Sequence, residues 1–223
     1  MKTDHKSNKN KWISLVIPAY NEEGRIGDVI AAAQSTGLIN EVVVVNDGST
    51  DQTSFVARKL GVQVIDVHVN SGKGHAMQEG IDAVKPDILV FSDADILGIR
   101  KYHFEQLIRP LLDDDHLDMT VGKFSGGRFR TDLSHNLMPA ISGQRALRFG
   151  LVEDLPNLSL TKFGAEIIIT RHAKKVDANI LEVVLNDLTH VMKEEKLGMM
   201  RGLSARLRMY QEMYRSIKPE KKA

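Results

Sequence analysis

Three observations predict an α/β fold: an open, mostly parallel sheet with helices on both faces. Short apolar runs rich in β-branched residues alternate with stretches of helical periodicity through about the first hundred residues. Each run stays apolar throughout instead of alternating with polar residues, as strands covered on both sides do. The residues that follow each run are polar and glycine-rich, as expected where ligands gather beyond the carboxyl ends of such strands.

The elements follow in order. "WISLVIPAY" reads as a first strand, expected to end at Pro18, and "EVVVVNDGS" as a second closed by an Asn-Asp-Gly-Ser turn signal. Between them Ile26, Val29, Ile30 and Ala33 recur at helical spacing and Gly37 supplies a stop, which completes a β-α-β unit. "DQTSFVARKL" is a helix, "VQVIDVHV" a strand, "GKGHAMQEGIDAV" a helix and "DILVFS" a fourth strand. Past Asp95, Tyr102–Leu112 is expected to be a helix, "LDMTVGKF" a strand and "SGGRFRTDLSHN" a loop. "GAEIIITRHAKK" is expected to be a helix and "ANILEVVL" a late strand. No repeat or Pro/Gly/Ser-rich linker divides the chain, so residues 1–223 read as one domain.

Bulk properties exclude several classes. At 42% apolar, the chain can bury a full core, and a net charge of +1 gives no electrostatic case for nucleic acid, for which no basic stripe or zinc-finger spacing is present either. The absence of cysteine removes disulfides and thiolate metal sites. Apolar runs such as Ile13–Ala19 fall far short of the roughly 20 residues of a membrane span. A cytoplasmic chain is expected.

The chemistry sits in the strand-end loops: Pro18-Ala19-Tyr20-Asn21-Glu22-Glu23, Asn46-Asp47-Gly48-Ser49-Thr50-Asp51, Asn70-Ser71-Gly72-Lys73-Gly74 and Asp93-Ala94-Asp95. Each alone reads as turn chemistry, with Ser49 or Asp51 as helix caps. Four converging on one sheet edge read as a ligand site. Asp93 and Asp95 are two carboxylates directly after a buried strand, and burying like charges is costly unless a cation is shared between them. A hard divalent ion held by one or two carboxylates and a diphosphate fits, with Lys73 between two glycines that let the backbone approach phosphate. Gly72-Lys73-Gly74-His75 is too short for a P-loop and lacks its hydroxyl, and no Gly-x-Gly-x-x-Gly follows strand one. A haloacid-dehalogenase-like phosphatase, with Asp93 as nucleophile, is the rival, although its Asp-x-Asp usually opens the fold and here three strands precede it.

"SLVIPAYNEE", "VVVVNDGSTDQT", "NSGKGHAMQEGI" and "VFSDADI", in that order, resemble the nucleotide-binding half of a family 2 type glycosyltransferase of the GT-A fold. "SGGRFRTDL", "ISGQRAL", "GAEIIIT" and "LNDLTH" are ordered as in glucosyl-3-phosphoglycerate synthases and, more loosely, polyprenyl-phosphate sugar transferases. The resemblance implies a nucleotide-sugar-binding half over 12–98 and an acceptor-binding half over 99–197, while 198–223 reads as a C-terminal amphipathic helix from its own apolar spacing. It implies Pro18, Ala19, Tyr20 and Glu22 for the base and ribose, with Asp47, Gly48 and Ser49 beside them. Lys73 is then near the nucleotide, and Asp93, Ala94 and Asp95 at the ribose and metal. Gly143, Gln144 and Glu166 fall near the sugar, and Arg128 and Thr131 near an anionic acceptor. His190, near an expected helix start, becomes a third ligand, beside Asp93 and Asp95, for Mg2+ or Mn2+.

The implied activity is metal-dependent transfer of a hexose, glucose by that likeness, from a UDP-sugar to a small anionic acceptor; a lipid-phosphate acceptor is the alternative, and a nucleotide-sugar-binding protein without catalysis a third reading. Asp95, Lys73 and Glu166 are the catalytic candidates. Glu153, Asp154 or Glu166 are open as a base for inversion, while retention would let the departing phosphate take the proton. At the C-terminal end Met200, Leu203, Leu207, Tyr210, Tyr214 and Ile217 form an apolar stripe at helical spacing. Such a stripe packs on its own domain or on a second copy of the chain in a homodimer. Seven Lys/Arg against two Glu from Met199 onward also suit peripheral contact with the inner face of a membrane.

Overall fold

In the computed structural model, residues 11–124, 142–161 and 164–190 are described. The expected Arg128 and Thr131 contacts and the C-terminal helix lie outside them. The chain forms β1(Ile13–Ala19), α1(Ile26–Gln34), β2(Glu41–Asp47), α2(Thr53–Lys59), β3(Gln63–Val67), α3(Lys73–Asp82) and β4(Ile88–Phe91). There follow β5(Ile96–Leu97), α4(Lys101–Asp113), β6(Met119–Phe124), β7(Arg145–Arg148), α5(Ala165–Lys175), β8(Ile180–Leu185) and β9(Thr189–His190).

Seven strands make one sheet in the order β3-β2-β1-β4-β7-β6-β8. β7 is antiparallel to both neighbours and the remaining pairs are parallel. This is the mostly parallel sheet that the sequence predicts. The order reverses between β1 and β4, so the loops after these strands splay apart and leave a crevice at the carboxyl edge. The unbroken apolar runs follow from cover on both faces. Ile13, Leu15, Ile17, Val44 and Val90 pack with Ile30 of α1 and Phe104, Leu107 and Ile108 of α4. Val16, Val43, Val45, Leu89 and Phe91 pack with Met77 of α3 and Ile169 of α5 on the other face.

Three expectations change. β1 does not end at Pro18 but runs to Ala19, with Pro18 paired to Val45 of β2. Proline normally leaves a central strand because it cannot donate to the ladder. Here the Val16 carbonyl points to β4, accepting from Ser92 N, and Pro18, two residues on, points the same way past the point where β1–β4 pairing has ended, so no ladder bond is lost. Secondly, β7, whose "RALR" carries arginine at both ends, is not anticipated as a strand at all. Thirdly, "LNDLTH" leads into no described helix: β9 pairs with β5 in a two-stranded ribbon that sets Ile96 opposite His190.

Candidate active site

The loops after β1 and β2 are sewn together. Asn21 N donates to Ser49 Oγ (2.9 Å), Glu22 N to Thr53 Oγ1 (2.7 Å), and Thr50 N to Asn21 Oδ1 (2.8 Å). Ser49 is therefore a stitch, and neither it nor Asp51 is the cap: the N-cap of α2 is Gln52, and Asp51, one residue outside it, accepts from Thr53 N (3.0 Å) in a local turn. Fixing these loops leaves Tyr20 46% exposed on the lip of the crevice, beyond the part-buried Pro18 and buried Ala19. Glu22 is buried and paired to Arg25 at 3.1 Å.

Asp47 joins β2 to the next loop. Its two carboxylate oxygens accept from Ser71 N and Gly72 N, each at 2.8 Å, so it holds the entry to α3 as well as bordering the crevice. Gly48 follows at φ +70°, and a side chain there would strike the Val69–Asn70 backbone that this pairing draws in. Lys73 is thereby set as the first residue of α3.

Lys73 supplies the positive charge that Asp93 needs: its ammonium pairs with the Asp93 Oδ1 and with Glu166 Oε1. The carboxylates are little exposed, 14% and 9% by side chain. Burial would push the lysine down, but Asp93 and Glu166 outweigh it and hold its pKa well above the ordinary lysine value. Burial would likewise push Glu166 up, yet Lys73 and Arg145 hold it below the usual carboxylate range. Asp93 is boxed in on another side by Gly143, where any Cβ would overlap the carboxyl group. Gly143, expected near the sugar, thus forms a wall for Asp93. Of the two glycines around Lys73, Gly74 has a packing role as well: the side where a Cβ would stand is filled by the Leu158 and Thr161 carbonyls.

Gln144 is fully buried, and neither of its amide atoms has a partner among the described residues. An unpaired buried amide costs about 1–3 kcal/mol, which marks it as a group awaiting a ligand or another segment. Of the three carboxylates open as a base, only Glu166 stands in this cluster. Glu153 is exposed and lies with Lys85 and Phe149 in a groove beside the C-terminal end of α3, and Asp154 is its exposed neighbour.

Ala94 is buried and Asp95 part-exposed, immediately before β5. The ribbon register brings the His190 backbone beside Ile96, one residue from Asp95. Carboxylate oxygens suit Mg2+ or Mn2+; among the described residues no cluster of three ligating side chains is assembled, the His190 side chain lying outside them. The ribbon is fixed by a residue that sequence reasoning missed. Buried His103 accepts from Arg100 N (2.9 Å) at Nδ1 and donates from Nε2 to Asn186 O (2.8 Å). Burial lowers its pKa below the ordinary imidazole value, outweighing the opposing hydrogen bonds. Its only signal was a polar position on the apolar face of α4.

Residues 14–166 match the family described as Glycosyl transferase family 2, a span from β1 to Glu166 itself. The chain belongs to that family. The 4,4'-diaponeurosporenoate glycosyltransferase of Staphylococcus aureus strain N315 is 37% identical over 113 residues, 48% of this chain and 30% of that protein. The MRSA252 relative of the same name is 38% identical over 104 residues, 44% of this chain and 28% of its own. The chain therefore spans less than a third of these curated relatives. Solved structures align over far more. Glucosyl-3-phosphoglycerate synthase from Mycobacterium tuberculosis, in complex with Mn2+, UDP and glucosyl-3-phosphoglycerate, has a TM-score of 0.74 at 26% identity, covering 95% of this chain and 82% of that one. The same synthase with Mn2+, UDP-glucose and glycerol 3-phosphate gives 0.75 at 25% identity with the same coverage. Membership of family 2 leaves the phosphatase alternative without support.

Proposed function

We propose that this chain is a glycosyltransferase that moves glucose from UDP-glucose to a small anionic acceptor of the phosphoglycerate kind. The observation that carries the reading is the Lys73–Asp93–Glu166 cluster, boxed by Gly143, at the point where the strand order reverses. Tyr20 offers an exposed ring for a nucleobase, with Pro18, Ala19, Glu22, Asp47, Gly48 and Ser49 around it. Structural likeness to a synthase solved with UDP-glucose, Mn2+ and glycerol 3-phosphate supports both donor and acceptor class.

Asp95, with Asp93 and His190, is the set that would hold Mg2+ or Mn2+, whose chemistry when bound is to neutralise charge developing on the departing diphosphate. Lys73 would add a fixed ammonium to the same oxygens. Gln144, whose amide has no partner among the described residues, is assigned to sugar hydroxyls. Arg128 and Thr131 are assigned to the acceptor anion. Glu166 orients Lys73 and is poorly suited to serve as a base, because a general base works best with a pKa near the working pH and Glu166 is held below the carboxylate range. The acceptor proton then passes to the departing phosphate oxygen, the route open to a retaining enzyme.

The Staphylococcus aureus relatives favour a second reading, because their name specifies 4,4'-diaponeurosporenoate and not a phosphoglycerate. A lipid-phosphate acceptor would place the basic Met199–Ala223 segment at an anionic membrane surface. Nucleotide-sugar binding measured with and without Mn2+, followed by UDP release on adding 3-phosphoglycerate or a polyprenyl phosphate, tests both. UDP release only with metal and phosphoglycerate is expected, reduced at least 100-fold by Asp95→Ala. Release that follows the lipid phosphate moves the assignment to the second reading; metal-independent binding unchanged in Asp95→Ala removes the metal assignment.

A further inference from the structure

Arg145 is the largest fully buried side chain among the described residues and enters the chemistry above only as a charge acting on Glu166. It stands on β7, the one reversed strand, on the face that packs Leu147 toward α5. Its fork reaches two elements at once. Nε and Nη2 donate to the Ser142 carbonyl, the former at 3.1 Å, and Nη1 donates to the Glu166 carbonyl at 3.0 Å and to Thr170 Oγ1 at 3.4 Å. All these partners are uncharged. Burying a cation to bind neutral carbonyls is costly, and an apolar side chain of similar length would fill the same space. What favours the charge is the field of Glu166 and Asp93, which opposes the effect of burial in lowering the guanidinium pKa to about 10.

We propose that Arg145 is a positioning residue of the transfer site: its guanidinium clamps the turn before β7 to the first turn of α5. The clamp holds Gly143 against Asp93 and presents Glu166 to Lys73. Ser142 directly precedes the glycine that walls Asp93, and the second clamped carbonyl belongs to Glu166 itself. Lys73 and Arg145 together balance Asp93 and Glu166, so the cluster is electrically closed before any substrate enters. The clamp stands on geometry alone; only its consequence for turnover rests on the glycosyl-transfer reading.

Hydrogen–deuterium exchange, UDP affinity with Mn2+, and kcat and KM are compared in the wild type, Arg145→Lys and Arg145→Met. Arg145→Met is expected to speed exchange at least tenfold in 142–147 and 164–170 while β1 to β3 keep their protection. It is also expected to weaken UDP binding tenfold or more and to lower kcat further than it raises KM. Arg145→Lys keeps the charge but not the fork and should fall between. If Arg145→Met does not fold, Arg145→Lys carries the test with the same readouts. Unchanged exchange, or exchange raised evenly across the sheet, overturns the clamp, and local loosening with wild-type affinity and turnover overturns the positioning role. A wild type that binds no UDP defeats the proposed function instead, and the exchange pattern still decides whether the clamp exists.

Discussion

Lys73 is held between two carboxylates from distant parts of the chain, and replacing it exposes what each contributes. Lys73→Met takes the nearest counter-charge from the little-exposed Asp93 and Glu166 and leaves Arg145 acting on them, and removing one partner of a buried pair costs about 3–5 kcal/mol. Turnover is expected to fall by at least 100-fold, read from initial rates at saturating donor. The pH response carries a second signature. Lys73 has a raised pKa, so its contribution is complete below the ordinary lysine value of 10.5 and is lost only as pH rises through the folded value. Glu166 has a lowered one, so its contribution is present above 4.5 and is lost as pH falls through the depressed value. The wild type should thus show no stability limb from this pair between pH 5 and 9 by these shifts. In Lys73→Met, burial acts on Glu166 without its main counter-charge, and an acid limb should move up toward neutrality in thermal melts across pH. Asp93 and Asp95 were legible in the sequence because a buried strand leads into them. The bond of Lys73 to Asp93 spans 20 positions, and the one to Glu166 runs from α3 to α5, so no local pattern could reveal either.

At the scale of elements, the first four strands and three helices followed from unbroken apolar runs and helical spacing, since cover on both faces leaves a strong local signal. β7 left none. It is four residues long, it begins with an arginine that points into the core, and its neighbours β4 and β6 lie far from it in sequence. The β5–β9 ribbon is two residues a side, too short for any periodicity, although it governs where His190 falls. Gly74 has a packing role that composition alone does not show. Its freedom serves the packing of α3 against the Leu158–Thr161 turn, so Gly74→Ala must push the helix start outward and carry Lys73 with it. A loss of about 1–3 kcal/mol in unfolding free energy is expected from such overpacking, together with weaker UDP binding. Gly150→Ala meets nothing within 4 Å and should stay within about 0.5 kcal/mol of the wild type by the same denaturation curves.

On the scale of the whole molecule, the crevice depends on the strand order. β1 and β4 lead away from each other in sequence, and their loops are tied into walls by Asp47, Ser49, Asn21 and Lys73. These ties cross between β-α units, so a ligand bound among them restrains most of the parallel half of the sheet at once. UDP should therefore act on global stability and not on one loop. Binding to the folded state alone stabilises by RT ln(1 + [L]/Kd), about 2.7 kcal/mol at a hundredfold excess over Kd. UDP and Mn2+ together are expected to raise the melting temperature by several degrees, with either alone giving much less, because the proposed metal seat is completed by the diphosphate. Chelation with EDTA should return the melt to the ligand-free value. In Asp95→Ala the joint shift should collapse to that of UDP alone while the ligand-free melt stays near wild type, since Asp95 is part-exposed at a turn. An undiminished joint shift in that variant would place the metal on other ligands and leave Asp93 and Asp95 as charge partners of Lys73 and its neighbours.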